Sequence, residues 1–445
     1  MTQKTFLSLI ILFTSFNLVS QEKARKFKWG GSLTSRYMST NNSGDLESFN
    51  AFVFYGDIGG SYKVNSWLTL STQVNGLAVP NTDGITKIDV TTGSGPIYEG
   101  NLFNIRTMSG NSEFALPILS AQIELEGQFI TIGRFLKNTP AVNAEPWPFP
   151  NALEGVWYEN YKAENTSWQL GAIYRIAPRF SGNFETIGSS IGVGGIGVDV
   201  FGDPSGYREN VESDILIIGN YNKLFNETFS IDIWDYYAEG ITNTLLIEPK
   251  VQITENDLTF SALGMYQTKV GDGGNDNPSL AYRVDDLALY FGLRAEKRIG
   301  KNSFQLNFSR ISDNGRFLLP REWGLEPFYT FQRRTRIEGF RDVTSLMFKW
   351  ERIWSNNSGN YRLFSSLGKN KLPVVTDAPR NKYYTPSHYH WAWDFKYEPT
   401  QWMKGLSAEI YTAYRFLDAT VDNDPDALIN RADFYHFDFI LNYSF

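Results

Sequence analysis

The stretch Asp433-Phe-Tyr-His-Phe-Asp-Phe-Ile-Leu-Asn-Tyr-Ser-Phe445 decides the fold. Tyr435, Phe437, Phe439, Leu441, Tyr443 and Phe445 share one face of an extended segment, and His436, Asp438, Asn442 and Ser444 share the other. Side chains alternate across a strand with period two, so a segment that alternates throughout has a different solvent on each face. The edge of a soluble sandwich also alternates, but six large apolar or aromatic side chains on it would make it a template for aggregation.

The pattern recurs backwards through the chain in pieces of about the 9 to 11 residues that a tilted membrane strand needs. Leu406, Ala408, Ile410, Tyr414 and Phe416 oppose Ser407, Glu409, Tyr411 and Arg415. Tyr389, Trp391, Trp393, Phe395 and Tyr397 oppose His390, Asp394 and Lys396. Leu287, Leu289, Phe291 and Leu293 face away from Tyr290, Arg294 and Glu296, as Leu245, Ile247, Val251 and Ile253 do from Glu248, Lys250 and Gln252. A charged face opposite an apolar one describes a polar lumen inside a lipid-facing wall.

Composition agrees. Aromatic residues make up 16% of the 445 positions (33 Phe, 24 Tyr and 12 Trp), although the mean hydropathy is only -0.31. Barrels place girdles of such rings at both membrane interfaces. The absence of cysteine removes disulfide-stapled folds and thiolate metal sites. A net charge of -7 gives no footprint for nucleic acid, and no cofactor or metal signature is present.

Lys4 followed by the apolar core Phe6 to Phe16 reads as a secretory leader with cleavage after Ser20, leaving residues 21–445 as one barrel domain. Beyond residue 20 no stretch reaches the roughly 20 apolar residues of a membrane helix. A mature chain in a bilayer is therefore expected to be a closed all-β transmembrane barrel with antiparallel strands.

Connections test this independently, because such barrels alternate short periplasmic turns with long external loops. Short turns are expected near Asn65-Ser66, Glu126-Gly127, Glu164 to Thr166, Asn226-Glu227, Asn256-Asp257, Gly300 to Asn302, Asn356 to Gly359 and Thr400-Gln401. Between them lie mostly longer connections, including Pro80 to Gly110, Leu136 to Leu153, Pro178 to Glu212, Gly271 to Leu280, Ser312 to Arg341, Asn370 to Thr385 and Asp418 to Arg431. Eight turns and nine external connections give about 18 strands, or 16 if two weaker segments merge. The glycine-rich run Gly182 to Gly206 is assigned to an external loop, since it lacks the Lys-Ser/Thr ending of a phosphate cradle.

Two loops carry distinctive text. After Gln128-Phe-Ile-Thr-Ile-Gly-Arg-Phe135 come Leu136-Lys-Asn-Thr-Pro-Ala-Val-Asn143 and Pro150-Asn-Ala-Leu-Glu-Gly155, and further on Leu319-Pro-Arg-Glu-Trp-Gly-Leu-Glu-Pro-Phe-Tyr-Thr-Phe331 runs towards Glu338-Gly339 and Asp342. These passages resemble the third and seventh external loops of the OprD family of substrate-specific outer-membrane porins. The segment Asp433 to Phe445 is similar to that family's final strand and to the sorting signal of bacterial outer-membrane proteins. The resemblance implies a monomer-wall pore whose third and seventh loops fold inward to constrict it. It also implies diffusion of small hydrophilic solutes across the outer membrane of a Gram-negative-type bacterium, and assembly by the barrel-assembly machinery. Asn138, Pro140, Asn143, Trp147, Pro150, Trp323, Glu326 and Phe328 fall in those loops and are the candidate constriction residues.

A barrel this wide holds water unless loops narrow it, so loop charge sets selectivity. Between Ser312 and Arg341, Arg316, Arg321, Arg333, Arg334, Arg336 and Arg341 outnumber Asp313, Glu322, Glu326 and Glu338 by two. Guanidinium forks grip carboxylates bidentately, which favours small carboxylates or amino acids as solutes. Alternation points Arg175, Arg294 and Arg415 inward. Many family members carry further basic residues on the penultimate strand, where this chain has Glu409 and Tyr411, and inward Glu124, Glu248, Glu296, Asp232 and Asp394 dilute the field. The plainer reading is that the arginines brace loops, while Trp147, Phe149, Trp323, Pro327, Phe328, Tyr329 and Phe331 pack them against the wall.

Two other classes stay open: a barrel hydrolase and a non-conducting receptor or adhesin. His388 and His390 beside Ser387 hint at catalysis or half a metal site, but no third partner is evident, and solvated wall histidines fit better. The lipid face leaves room for a homo-oligomer.

Overall fold

A computed structural model describes residues 26–80, 87–90, 93, 95–103, 112–144, 147–179, 181–193, 197–418 and 433–445. The expected leader lies outside the described residues, as do parts of the connections around 80–110 and 418–431.

Eighteen strands form one sheet, in the order β1 (Phe27–Asn42), β2 (Phe49–Lys63), β3 (Leu68–Ala78), β4 (Ser112–Leu125), β5 (Gln128–Phe135) and β6 (Ala152–Ala163). Next come β7 (Thr166–Ala177), β8 (Leu216–Asn226), β9 (Phe229–Ala238), β10 (Thr242–Ile253), β11 (Leu258–Lys269) and β12 (Leu287–Ile299). The last six are β13 (Asn302–Ile311), β14 (Val343–Asn356), β15 (Gly359–Lys371), β16 (His388–Pro399), β17 (Leu406–Leu417) and β18 (Phe434–Ser444). Each strand pairs antiparallel with its neighbours in sequence, and β1 closes the barrel on β18 from Ser32↔Ser444 to Asn42↔Phe434. Closure removes the open edge that a bilayer forbids.

Alternation decides the two faces, as expected. Leu33, Leu346 and Leu367 lie 50–54% exposed on the outer wall, whereas His390, His436 and Asp438 are fully buried inside. All eight expected turns join strands at one end. At the other end run nine connections, L1 to L9 in chain order, and the third and seventh (L3, 136–151; L7, 312–342) hold the two distinctive passages.

The lumen is not evenly filled. L4 (178–215), L6 (270–286), L7 and L8 (372–387) meet inside one half of the barrel in an apolar core that includes Ile187, Ile191, Tyr207, Phe317, Leu318, Phe328 and Phe340. Burying these side chains contributes roughly 1.5–3 kcal/mol each. The run Gly182 to Gly206 falls in the external connection L4, as expected, but its described residues fold into the lumen. Thr186 caps the single-turn helix α1 (Ile187–Ser190) through Ser189 N, and this turn delivers Ile187 and Ile191 to the interior.

Candidate functional site: a cationic passage along one side of the lumen

The loop core occupies one half, and open space lies on the other side. This space is a cavity of about 1090 Å³, walled on one side by β16, β17, β18, β1, β2 and β3 and on the other by L2, L3, L4, L7 and L8. Among the described residues, Arg36, Arg179, Arg321, Arg333, Arg334, Arg336, Lys382, Lys396 and Arg415 line it, against Asp57 and Glu409. The excess is larger than the loop sequence alone implied, because four of the nine cations come from the wall and from other loops: Arg36, Arg179, Lys396 and Arg415 stand outside L7 and L8.

The tip of L7 is a tight turn closed by a bridge between Gln332 and Thr335, with Arg334 at a left-handed φ of 72°. That conformation costs a non-glycine residue about 1 kcal/mol or more and needs support from its surroundings. The support is dense. Gln332 Nε2 donates to Ser366 Oγ (2.8 Å), Thr335 Oγ1 bonds His388 Nε2 (2.8 Å), and Tyr411 and Tyr98 donate their hydroxyls to the carbonyls of Arg333 (2.9 Å) and Arg334 (2.8 Å). The turn sends its two arginines in different directions. Arg333, 45% exposed, donates to Glu409 Oε1 (2.8 Å) and Asp394 Oδ2 (3.2 Å). Arg334, 6% exposed, reaches Asp438 Oδ2 (2.6 Å) and His436 Nε2 (2.8 Å). Asp438 also takes both arms of Arg36, at 3.0 and 2.7 Å, so one fully buried carboxylate holds two guanidiniums. Trp147 of L3 lies over this pair, 4.6 Å from Arg36 and 5.9 Å from Arg334.

L3 and L7 are fastened to one another by Asn143. Its side chain accepts from Leu325 N (3.0 Å) and donates to Leu325 O (3.2 Å), and its backbone N–H donates to Trp323 O (2.9 Å). Gly324 sits at φ 150°, and a Cβ there would come within 2.8 Å of Asn143 N, so the two loops approach too closely for any other residue. Asn138 and Pro140 belong to the turn that presents Asn143; Asn138 Oδ1 accepts from Ala144 N (2.9 Å). Pro150 and Trp147 line the cavity itself. Asn143→Ala removes both side-chain hydrogen bonds to Leu325 and a longer one to Thr139 O (3.4 Å), leaving part-buried groups unpaired at a cost of about 1–3 kcal/mol. The expected outcome is faster proteolysis within L7 at unchanged barrel content, measured by limited digestion and circular dichroism.

Several other candidates serve the loop core. Trp323 donates to Ser190 Oγ (2.8 Å), and Phe328 stacks on Tyr290 at 4.3 Å. Glu326 accepts from Ile337 N and Glu338 N at 3.0 Å each, and burial raises its carboxyl to about 7. Only Phe331 of the expected packing residues Trp323 to Phe331 touches the cavity. Arg321 stacks 3.6 Å over Tyr383 and pairs with Glu338, and Arg336 donates to Gly324 O (3.1 Å).

Three arginines depart from expectation. Arg341 lies off the cavity, beside Asp313 (3.4 Å) and Asp285 (3.9 Å). Arg294 does point inward but is covered by Tyr329 at 4.0 Å and bonded to Asn307 at 2.8 Å, so it is wall bracing. Arg175 does not continue the inward face. The register against β6 slips between Glu154 and Gly155, Tyr174 and Arg175 are both exposed, and Arg175 donates to Phe184 O (2.6 Å). A bulge inverts the alternation on which its expected direction rested. Arg415 is inward, stacked 4.6 Å over Phe434. His388 and His390 are inward but fully buried rather than solvated, because the L7 turn covers them.

Sequence reading passed over Arg36, Asp438, His436, Thr40, Tyr98 and Glu99. Arg36 and Asp438 lie 402 positions apart and meet only through barrel closure; the inward phase of Asp438 was legible, its partner was not.

The fold and the site together define a class: a closed transmembrane barrel whose own loops constrict its lumen to a charged side passage. Solved structures with this fold include OprD/Occ porins. Pseudomonas aeruginosa OpdK, crystallised with vanillate, superimposes with a TM-score of 0.69 at 11% identity, covering 94% of this chain and 98% of OpdK. Acinetobacter baumannii OccAB4 gives 0.67 at 13% identity over 95% and 98%, and P. aeruginosa OccK3 gives 0.65 at 12% over 94% and 96%. No family model and no curated protein matches the chain by sequence.

Proposed function

We propose that the chain is an outer-membrane porin, a passive diffusion channel for small hydrophilic solutes that favours those carrying a carboxylate. The observation that carries this reading is the cavity lining of nine cationic side chains against two carboxylates among the described residues. Second-layer acids offset part of the charge, but Asp438 is shared between two arginines and Arg336 meets a carbonyl, so a positive balance persists. Converging guanidiniums in a narrow, poorly screened passage concentrate anions and orient carboxylates. Vanillate, which OpdK holds, is a carboxylate of the size the cavity accepts. Residues 1–20 are taken as the leader, the barrel-assembly machinery as the insertion partner, and the lipid face as the surface open to self-association.

The enzyme reading is set aside because His388 bonds only Pro386 O, Thr335, and Asn370 among the described residues, with no carboxylate to orient it. The test is single-channel conductance with reversal potential across a salt gradient. Arg333→Ala is expected to lower the anion-to-cation permeability ratio roughly two- to fivefold, as loss of one charge near the path requires, and to weaken block by a small carboxylate. A folded barrel that never conducts would overturn the reading.

A further inference from the structure

Glu99 opens the 3-10 turn Glu99–Leu102, which L2 lays against β1 and β2. It is fully buried and does not line the passage, yet it ends a continuous chain of hydrogen bonds that begins in the passage. Arg334 Nε meets His436 Nε2 at 2.8 Å, His436 Nδ1 meets Thr40 Oγ1 at 2.7 Å, and Thr40 Oγ1 meets Glu99 Oε1 at 2.6 Å. A guanidinium can only donate and a carboxylate can only accept, so the direction of every link is fixed. His436 must carry its proton on Nδ1, and Thr40 must donate to Glu99. The second oxygen, Glu99 Oε2, is buried with no hydrogen-bond partner among the described residues.

We propose that Glu99 is a positioning residue for Arg334 and that its ionisation sets the charge selectivity of the passage. The proposal rests on the channel reading above. With Glu99 ionised, the cluster of Arg36, Arg334, Asp438 and Glu99 is balanced, two charges against two. Protonation leaves it at +1 and removes the terminal acceptor, so Thr40 can turn its hydroxyl and His436 can take the tautomer that sets an N–H against Arg334. Arg334, held at a left-handed φ, depends on that latch. Burial raises the Glu99 carboxyl to about 7, against the lowering effects of Thr40 and Arg334. The other charged or titratable groups around the cluster, among the described residues, include Tyr55 on β2, His390 on β16, Glu409, Tyr411 and Arg415 on β17, Arg333 on L7, and Tyr98 beside Glu99 itself.

The test is the reversal potential of the refolded full chain in planar bilayers from about pH 5.5 to about pH 8.5. The anion-to-cation ratio is expected to rise roughly two- to fivefold as pH falls through about 7, and Glu99→Gln should hold the high ratio at every pH. Lys382 lines the same passage, and burial lowers its ammonium to about 7, so Lys382→Met is measured in parallel and should keep the wild-type rise. A slope that survives Glu99→Gln, or one that disappears in Lys382→Met alone, overturns the proposal. Nitrogen NMR of His436 in the unsubstituted protein gives a second readout: a tautomer indifferent to pH overturns it without any variant. A conducting channel with a pH-independent ratio sinks this inference alone, whereas a protein silent at every pH sinks the porin reading.

Discussion

Glu338→Gln is expected to produce a folded barrel with a several-fold larger conductance and an L7 open to protease. Glu338 is fully buried at the centre of the loop core, where it takes Arg321, accepts from the Tyr383 hydroxyl (3.0 Å) and donates its backbone N–H to Glu326 (3.0 Å). Lys382 lies alongside, with Nζ 4.6 to 5.4 Å from the ring centres of Tyr207, Tyr282 and Tyr383. Burial alone would raise the Glu338 carboxyl, but Arg321 and Lys382 override it and hold it below the usual range. Removing its charge leaves the part-buried Arg321 and the buried Lys382 without their counter-ion, a loss of about 3 kcal/mol. None of this involves the strand ladder, so the damage stays in the loops. The sign with pH follows: a carboxyl depressed in the folded state stabilises above its ordinary value of about 4.3, and that stabilisation is lost as pH falls through the lower folded value. Strong acid should therefore loosen the unsubstituted loops as the variant does at neutral pH. Trypsin digestion with single-channel recording checks this, and a variant matching wild type in both would remove Glu338 from the role assigned to it.

Asp438→Ala is expected to raise anion selectivity roughly threefold to tenfold and to lower the unfolding temperature, with formate restoring both. Asp438 neutralises two guanidiniums at once, and without it Arg36 and Arg334 face one another across a carboxylate-sized gap. A small carboxylate fits the vacated chemistry, so formate should bind there and acetate less readily. The measurements are reversal potential and thermal melting with and without formate. Indifference to formate in both would show that the two arginines find other partners.

How much of this was legible in the sequence differs sharply between wall and interior. The wall follows from period-two alternation because lipid and water impose opposite demands on adjacent residues, and Tyr435 to Phe445 show this without any tertiary information. Arg175 marks where the method fails, since a bulge at Tyr174 is not encoded in alternation. The inward course of L3 and L7 came from resemblance. That of L4 did carry a signal of its own, in Ile187, Ile191, Val193 and Val211, which are too apolar for an exposed loop. Arg334 and the inward phase of Asp438 were legible, but their meeting with Arg36 was not, because the three are brought together by closure of β1 on β18 and by the descent of L7.

The one-sided lumen separates two kinds of evolutionary freedom. Residues of the loop core answer to each other, and a change in Phe317 or Tyr290 must be matched by its neighbours. On the porin reading proposed above, the inward positions of the six strands from β16 round to β3, with the turn at Arg333 and Arg334, answer mainly to the solute. Such a barrel can acquire a new cargo by altering a short list of side chains on one arc, leaving the opposite arc as inherited scaffolding.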